Sequence, residues 1–190
     1  RRKARATAAD MPYGPPAMNE VILPNALVEA ARKVVDANRA AGRKIAVAES
    51  CTGGLVSAAI TEIPGSSDVM SAGFVTYSNE AKMAQLRVSR DVLETFGAVS
   101  IATAWSMAQG ALEASDADVA VAITGIAGPG GGSDKKPVGH VVFARAEKDA
   151  NPDVVVADTR EFGDIGRGGV RLQAALGALE LLLPGEPAAP

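Results

Sequence analysis

Apolar positions along the chain switch between two periods. Over residues 25–41, Leu27, Ala30, Ala31, Val34 and Val35 recur at helical spacing, which predicts an amphipathic helix. Residues 44–48 form a short β-type run, and 53–63 return to a helical pattern. A strand over 69–78 follows the turn signal Pro64-Gly65-Ser66-Ser67. Two short helices are expected at 79–87 and 91–96, then a longer one at 101–115 with Ser100 as its N-cap. Residues 118–124 read as an apolar, fully buried strand, 138–146 and 154–162 as further strands, and 168–183 as the last helix. Strands apolar enough to be covered on both faces, alternating with helices, predict a single three-layer α/β/α domain with a central sheet.

The ends lack this pattern. Residues 1–23 open with the basic cluster Arg1-Arg2-Lys3-Ala4-Arg5 and continue through Pro12, Pro15 and Pro16, and they read as a disordered tail. The first residue is Arg rather than Met, as in a fragment or a processed chain. Residues 185–190 read as a second frayed tail, which leaves 24–184 as the domain.

Composition narrows the function classes. With 190 residues, 47% hydrophobic and a net charge of −3, the chain supports one sizeable core and carries no basic field for nucleic acid or an anionic membrane. No apolar run has the length of a membrane span, and no signal segment is visible. The one cysteine, Cys51, suits a reducing cytoplasm. The one histidine, His140, argues with it against a Cys/His metal site, and at a strand start it reads as a partly exposed structural residue.

Three segments carry chemistry. The run Glu49-Ser50-Cys51-Thr52-Gly53-Gly54 lies between a strand and a helical pattern, so it reads as a strand–turn–helix corner. Such a corner sets a hydroxyl (Ser50) and a thiol (Cys51) beside unpaired backbone N–H groups, which suits acyl transfer. The loop Thr124-Gly125-Ile126-Ala127-Gly128-Pro129-Gly130-Gly131-Gly132-Ser133 follows another strand and belongs at the same sheet edge, where backbone N–H groups can cradle an anion. It has neither the Lys-Ser/Thr ending of a Walker loop nor the spacing of a dinucleotide fingerprint. The third segment, 73–82, places Lys82 in the first turn after a strand, against the helix dipole.

Together AESCTGG, GFVTYSNEAK, GAVS and TGIAGPGGG with KPVG resemble the C-terminal domain of the CinA (competence/damage-inducible protein A) family, whose stand-alone members are nicotinamide-nucleotide amidases. The resemblance covers residues 26–183. It implies deamidation of nicotinamide mononucleotide to nicotinic acid mononucleotide and ammonia, in pyridine nucleotide salvage, with no cofactor and no metal. It assigns the nucleophile to Ser50, the base to Lys82 and a positioning or relay role to Tyr77. In this scheme N–H groups around Thr52, Gly53 and Gly54 hold the oxyanion. Thr124, Gly125, Gly128, Gly130, Gly131 and Ser133 cradle ribose or phosphate, with added charge from Lys135 or Lys136. For Lys82 to act as a base near neutrality its pKa must fall by about 3 units, worth about 4 kcal/mol. Cys51 is the rival nucleophile. The stretch 163–171 is about two residues longer than the family pattern, which leaves Arg167 and Arg171 outside the expected site.

Two further expectations remain. The resemblance suggests a homodimer, supported by apolar residues around the 101–112 helix (Trp105, Met107, Ala108) and by Leu179-Glu180-Leu181-Leu182-Leu183. The competing function is a nucleotide-binding or interaction module without turnover, linked to competence or DNA damage.

Overall fold

The computed structural model describes residues 22–151 and 153–184, so the tails expected at 1–23 and 185–190 lie outside the described residues except for Ile22 and Leu23. Leu23, assigned to the tail from sequence, packs half-buried against the core. The elements are α1 (Asn25–Ala40), β1 (Ile45–Glu49), α2 (Leu55–Thr61), β2 (Met70–Val75), α3 (Asn79–Leu86), α4 (Arg90–Phe96), α5 (Ile101–Glu113), β3 (Val119–Gly125), β4 (His140–Glu147), β5 (Val156–Glu161) and α6 (Gly166–Leu182). All the expected elements occur. The largest shifts are at α2, which starts later because Gly53 and Gly54 take positive φ, and at β2, which is shorter at its C-terminal end. Ser78, Ser89 and Ser100 each cap a helix by accepting from a first-turn N–H.

The sheet has the order β2-β1-β3-β4-β5, with β2, β1 and β3 parallel and β4 and β5 antiparallel. Its two faces differ in size because the strands alternate large and small residues. Ile45, Val47, Val119, Val121, Ile123, Val141 and Phe143 meet α1, α2 and α6. Ala46, Ala48, Ala120, Ala122, Ala144 and Ala146 meet α3, α4 and α5. This is the expected three-layer α/β/α architecture. The alanine face lets α5 lie low on the sheet, and Gly110 of α5 touches the backbone of Leu86 so closely that a Cβ there would overlap the Leu86 carbonyl oxygen.

The apolar stripes that suggested a dimer are largely consumed within one chain. Met107, Ala108, Leu179 and Leu182 are all fully buried. The outer edge of β5 has no strand partner among the described residues, and it carries Asp158, Arg160 and Glu161.

Parallel pairing aligns three strand ends. Ser50 N–H donates to Ile123 O (2.9 Å) and Thr76 N–H to Glu49 O (2.8 Å), so the ladder continues past β1 and fixes Ser50 between the ends of β2 and β3. Replacing Gly110 by Ala would stabilise an open helix by about 1 kcal/mol. Here the overlap with Leu86 reverses the sign, and Gly110→Ala is expected to lower stability by about 2 kcal/mol in urea unfolding.

Candidate active site

β1 ends on Glu49, which is fully buried. Its carboxylate turns forward to the start of α2, accepting from Val56 N–H (3.1 Å), Ser57 N–H (2.8 Å) and Ser57 Oγ (2.7 Å). These charge-assisted bonds occupy the helix start that the sequence offered as an anion hole. Gly53 N–H is also committed, to Ser50 O at 3.1 Å. Arg171 Nη2 donates to Thr52 O at 2.9 Å from α6. Thr52, Gly53 and Gly54 therefore brace the turn from behind, and none of them lines the cleft. The N–H groups of Cys51 and Thr52 donate to no backbone carbonyl among the described residues.

The Ser78 cap starts α3 so that Lys82, in its first turn, points back under the strand ends. Only 1% of Lys82 is exposed. Its Nζ donates to Thr76 O at 2.8 Å and to Ser50 Oγ at 3.0 Å, with a longer approach to Tyr77 O at 3.5 Å. No carboxylate among the described residues lies within ion-pair distance of it. Desolvation by burial accordingly holds the Lys82 pKa below its ordinary value, while charge on Cys51 would raise it. That charge does not form at neutral pH, because burial pushes the Cys51 thiol up to about 11. The same shift removes Cys51 as a ready thiolate and leaves the Ser50 hydroxyl as the group beside the buried amine.

A cleft of about 280 Å³ opens over this pair. Ser50, Tyr77, Lys82, Thr124, Gly125, Gly128, Gly130 and Gly131 all line it, as do Ala98, Val99, Ile126 and Ala127. Arg167 lines it too, contrary to its exclusion from the expected site. Arg167 falls in the first turn of α6 and donates to Gly128 O (2.8 Å) and to Tyr77 Oη (2.9 Å). A close backbone approach sets this up: Gly139, at positive φ, lies against Gly163, and a Cβ on it would strike the Gly163 backbone.

Several expected roles are corrected by these partners. The Tyr77 side chain, 61% exposed, meets Arg167 rather than Lys82, and only its main-chain oxygen approaches the amine. Ser133 does not line the cleft; its Oγ accepts from Lys136 N–H at 3.2 Å in a tight turn. Thr124 does line it, but its hydroxyl donates to Ala98 O at 2.8 Å. Lys136 Nζ is held by Phe96 O and Val99 O. His140 pairs with Glu161 across β4 and β5, a structural role.

Residues 28–184 match the family model of the CinA C-terminal domain. The chain belongs to this family. It is 52% identical over 145 residues to the nicotinamide-nucleotide amidohydrolase PncC of Enterobacter agglomerans, covering 76% of this chain and 86% of that protein. A putative competence-damage inducible protein of Symbiobacterium thermophilum is 50% identical over 147 residues, 74% of this chain but 34% of the relative. This chain thus spans about a third of that longer relative, and about a quarter of the CinA-like protein of Mycobacterium avium. Among solved structures, the competence/damage inducible protein CihA from Agrobacterium tumefaciens aligns with a TM-score of 0.81 and 48% identity over 86% of this chain and 97% of that one. A CinA superfamily protein from Escherichia coli aligns at 0.76 and 35% over 85% and 92%.

The buried amine predicts a stability signature that needs no substrate. Because folding lowers the Lys82 pKa, the unfolded chain binds more protons between the folded value and the ordinary 10.5. Stability contributed by this group therefore rises with pH across that window and falls as pH drops through it. Denaturant unfolding of Lys82→Met is expected to lose that rise; an unchanged pH slope would mean the amine titrates normally.

Proposed function

We propose that the chain is a nicotinamide-nucleotide amidohydrolase that converts nicotinamide mononucleotide to the nicotinic acid nucleotide and ammonia through Ser50 and Lys82. The observation that carries this reading is the 3.0 Å contact between Ser50 Oγ and a buried Lys82 Nζ whose other close partners are main-chain oxygens. The name of the Enterobacter agglomerans relative supports the substrate.

Neutral Lys82 donates its hydrogens to the Thr76 and Tyr77 oxygens, so its lone pair faces the Ser50 hydroxyl. It takes that proton as Oγ bonds to the carboxamide carbon. The C–N bond then breaks, and Lys82 returns the proton to the departing nitrogen, which leaves as ammonia. Water, deprotonated by the same amine, adds to the acyl-serine and releases the carboxylate with Ser50 restored. The N–H group of Cys51, next in the chain to the nucleophile and on a residue that lines the cleft, is the donor we assign to the oxyanion. In this reading Ala98, Val99, Ile126 and Ala127 flank the pyridine ring. The N–H groups of Gly130 and Gly131, which have no backbone partner among the described residues, take the phosphate with Arg167. Pyridine nucleotide salvage in a reducing cytoplasm is the setting this substrate implies, and a homodimer remains the assembly proposed from the family.

Ammonia released from nicotinamide mononucleotide by the purified chain tests the reading. Ser50→Ala is expected to cut kcat by at least about 10³-fold while keeping substrate binding. Micromolar binding without ammonia from the wild-type chain would leave only the nucleotide-binding module. The dephosphorylated riboside is expected to have a kcat/KM lower by at least about 100-fold, as loss of a charged contact in the cleft predicts; equal values would remove the phosphate role of the glycine-rich loop.

A further inference from the structure

Between α4 and α5, four consecutive carbonyls are held by side chains. Lys136 Nζ donates to Phe96 O (3.2 Å) and Val99 O (2.7 Å). Thr103 Oγ1 (2.7 Å) and Ser100 Oγ (3.1 Å) donate to Gly97 O, and Thr124 Oγ1 to Ala98 O (2.8 Å). The segment belongs to no helix or strand, so these bonds set its shape. Its Ala98 and Val99 line the cleft, as do Ile126, Ala127, Gly128, Gly130 and Gly131 of the glycine-rich hairpin that carries Lys136.

Two of the donors, Ser100 and Thr103, come from the same side as the segment. Only Thr124 and Lys136 cross from the hairpin side. Thr124 sits near the rigid end of β3, and Lys136 ties the return limb. Lys136 is itself aimed by a reciprocal turn, in which its N–H donates to Ser133 O (3.1 Å) and Ser133 N–H donates to Lys136 O (2.9 Å). Phe96 is the last residue of α4, so the ammonium also meets the negative end of that helix. Its neighbour Lys135 is exposed and has no such contact among the described residues.

We propose that Lys136 is a positioning residue that holds the Ala98–Val99 wall at a fixed separation from the glycine-rich hairpin. It thereby sets how well the substrate amide is bound and leaves the chemistry at Ser50 intact. The substrate part rests on the amidohydrolase reading above; the clamp itself does not.

Lys136→Met and Lys136→Arg test it in the full chain. Amide hydrogen exchange in Lys136→Met is expected to rise about tenfold at residues 97–100 and along 126–139, while β1 is unchanged and Lys136→Arg restores protection. In Lys136→Met the KM for nicotinamide mononucleotide is expected to rise about tenfold with kcat within about twofold, recovering in Lys136→Arg, and the riboside is expected to show the same ratio. Unchanged exchange at 97–100 would overturn the clamp. A fall in kcat at constant KM would overturn the binding role, and an effect on the nucleotide that vanishes on the riboside would make Lys136 a phosphate ligand instead. If the wild-type chain releases no ammonia, the amidohydrolase reading fails and the exchange data still decide the clamp.

Discussion

Burial without a charged partner disfavours the protonated form of an amine, and the site is organised around that constraint at Lys82. Its Nζ lies among oxygens that carry no formal charge, those of Thr76, Tyr77 and Ser50. A carboxylate partner would have raised the amine's pKa and kept it protonated at neutral pH. The chain achieves this placement by ending β2 early, capping α3 with Ser78 and sending the lysine back beneath its own strand end. Main-chain carbonyls thus fix the direction of the Lys82 amine without contributing net charge.

A second set of residues keeps the hydroxyl where the amine needs it. Glu49 spends its buried charge on the start of α2, and Arg171 holds the turn from α6. The consequence is a Ser50 corner braced from both sides. The Glu49 carboxylate sits at the positive end of α2 and offsets part of that helix dipole.

The fold was legible because the strands of this chain alternate Val or Ile with Ala, and Ser100 marks the start of α5; the matching caps at Ser78 and Ser89 emerge in the structure. The chemistry was legible as residue types: Ser50, Lys82 and the glycine-rich loop lie where strand ends were expected. What stayed hidden was the use of each polar atom. Ser133 and Thr124 resemble ligand contacts in a glycine-rich sequence, yet their hydroxyls bond within the protein, and no pattern of neighbours reveals that. Gly53 gives its N–H to Ser50 O, a detail of turn geometry. Glu49 sat inside a motif as one more letter, and its reach across seven residues to Val56 is a tertiary fact. Arg167 was set aside because the 163–171 stretch departs from the family pattern. Its presence in the cleft depends on Gly139 meeting Gly163, a contact between segments far apart in the sequence.

The outer edge of β5, which has no strand partner among the described residues, has a consequence for how copies of the chain behave in concentrated solution. An unpaired strand edge invites another strand, and Val154, Val155 and Val156 stand exposed at its start. Asp158, Arg160 and Glu161 interrupt that invitation with charge, and Arg160 is anchored to Glu180 of α6 at 2.9 Å so that it cannot fold away. These three charges add little to the stability of one molecule, since they are largely at the surface. Their contribution is colloidal: they make edge-to-edge stacking into a continuous sheet unfavourable.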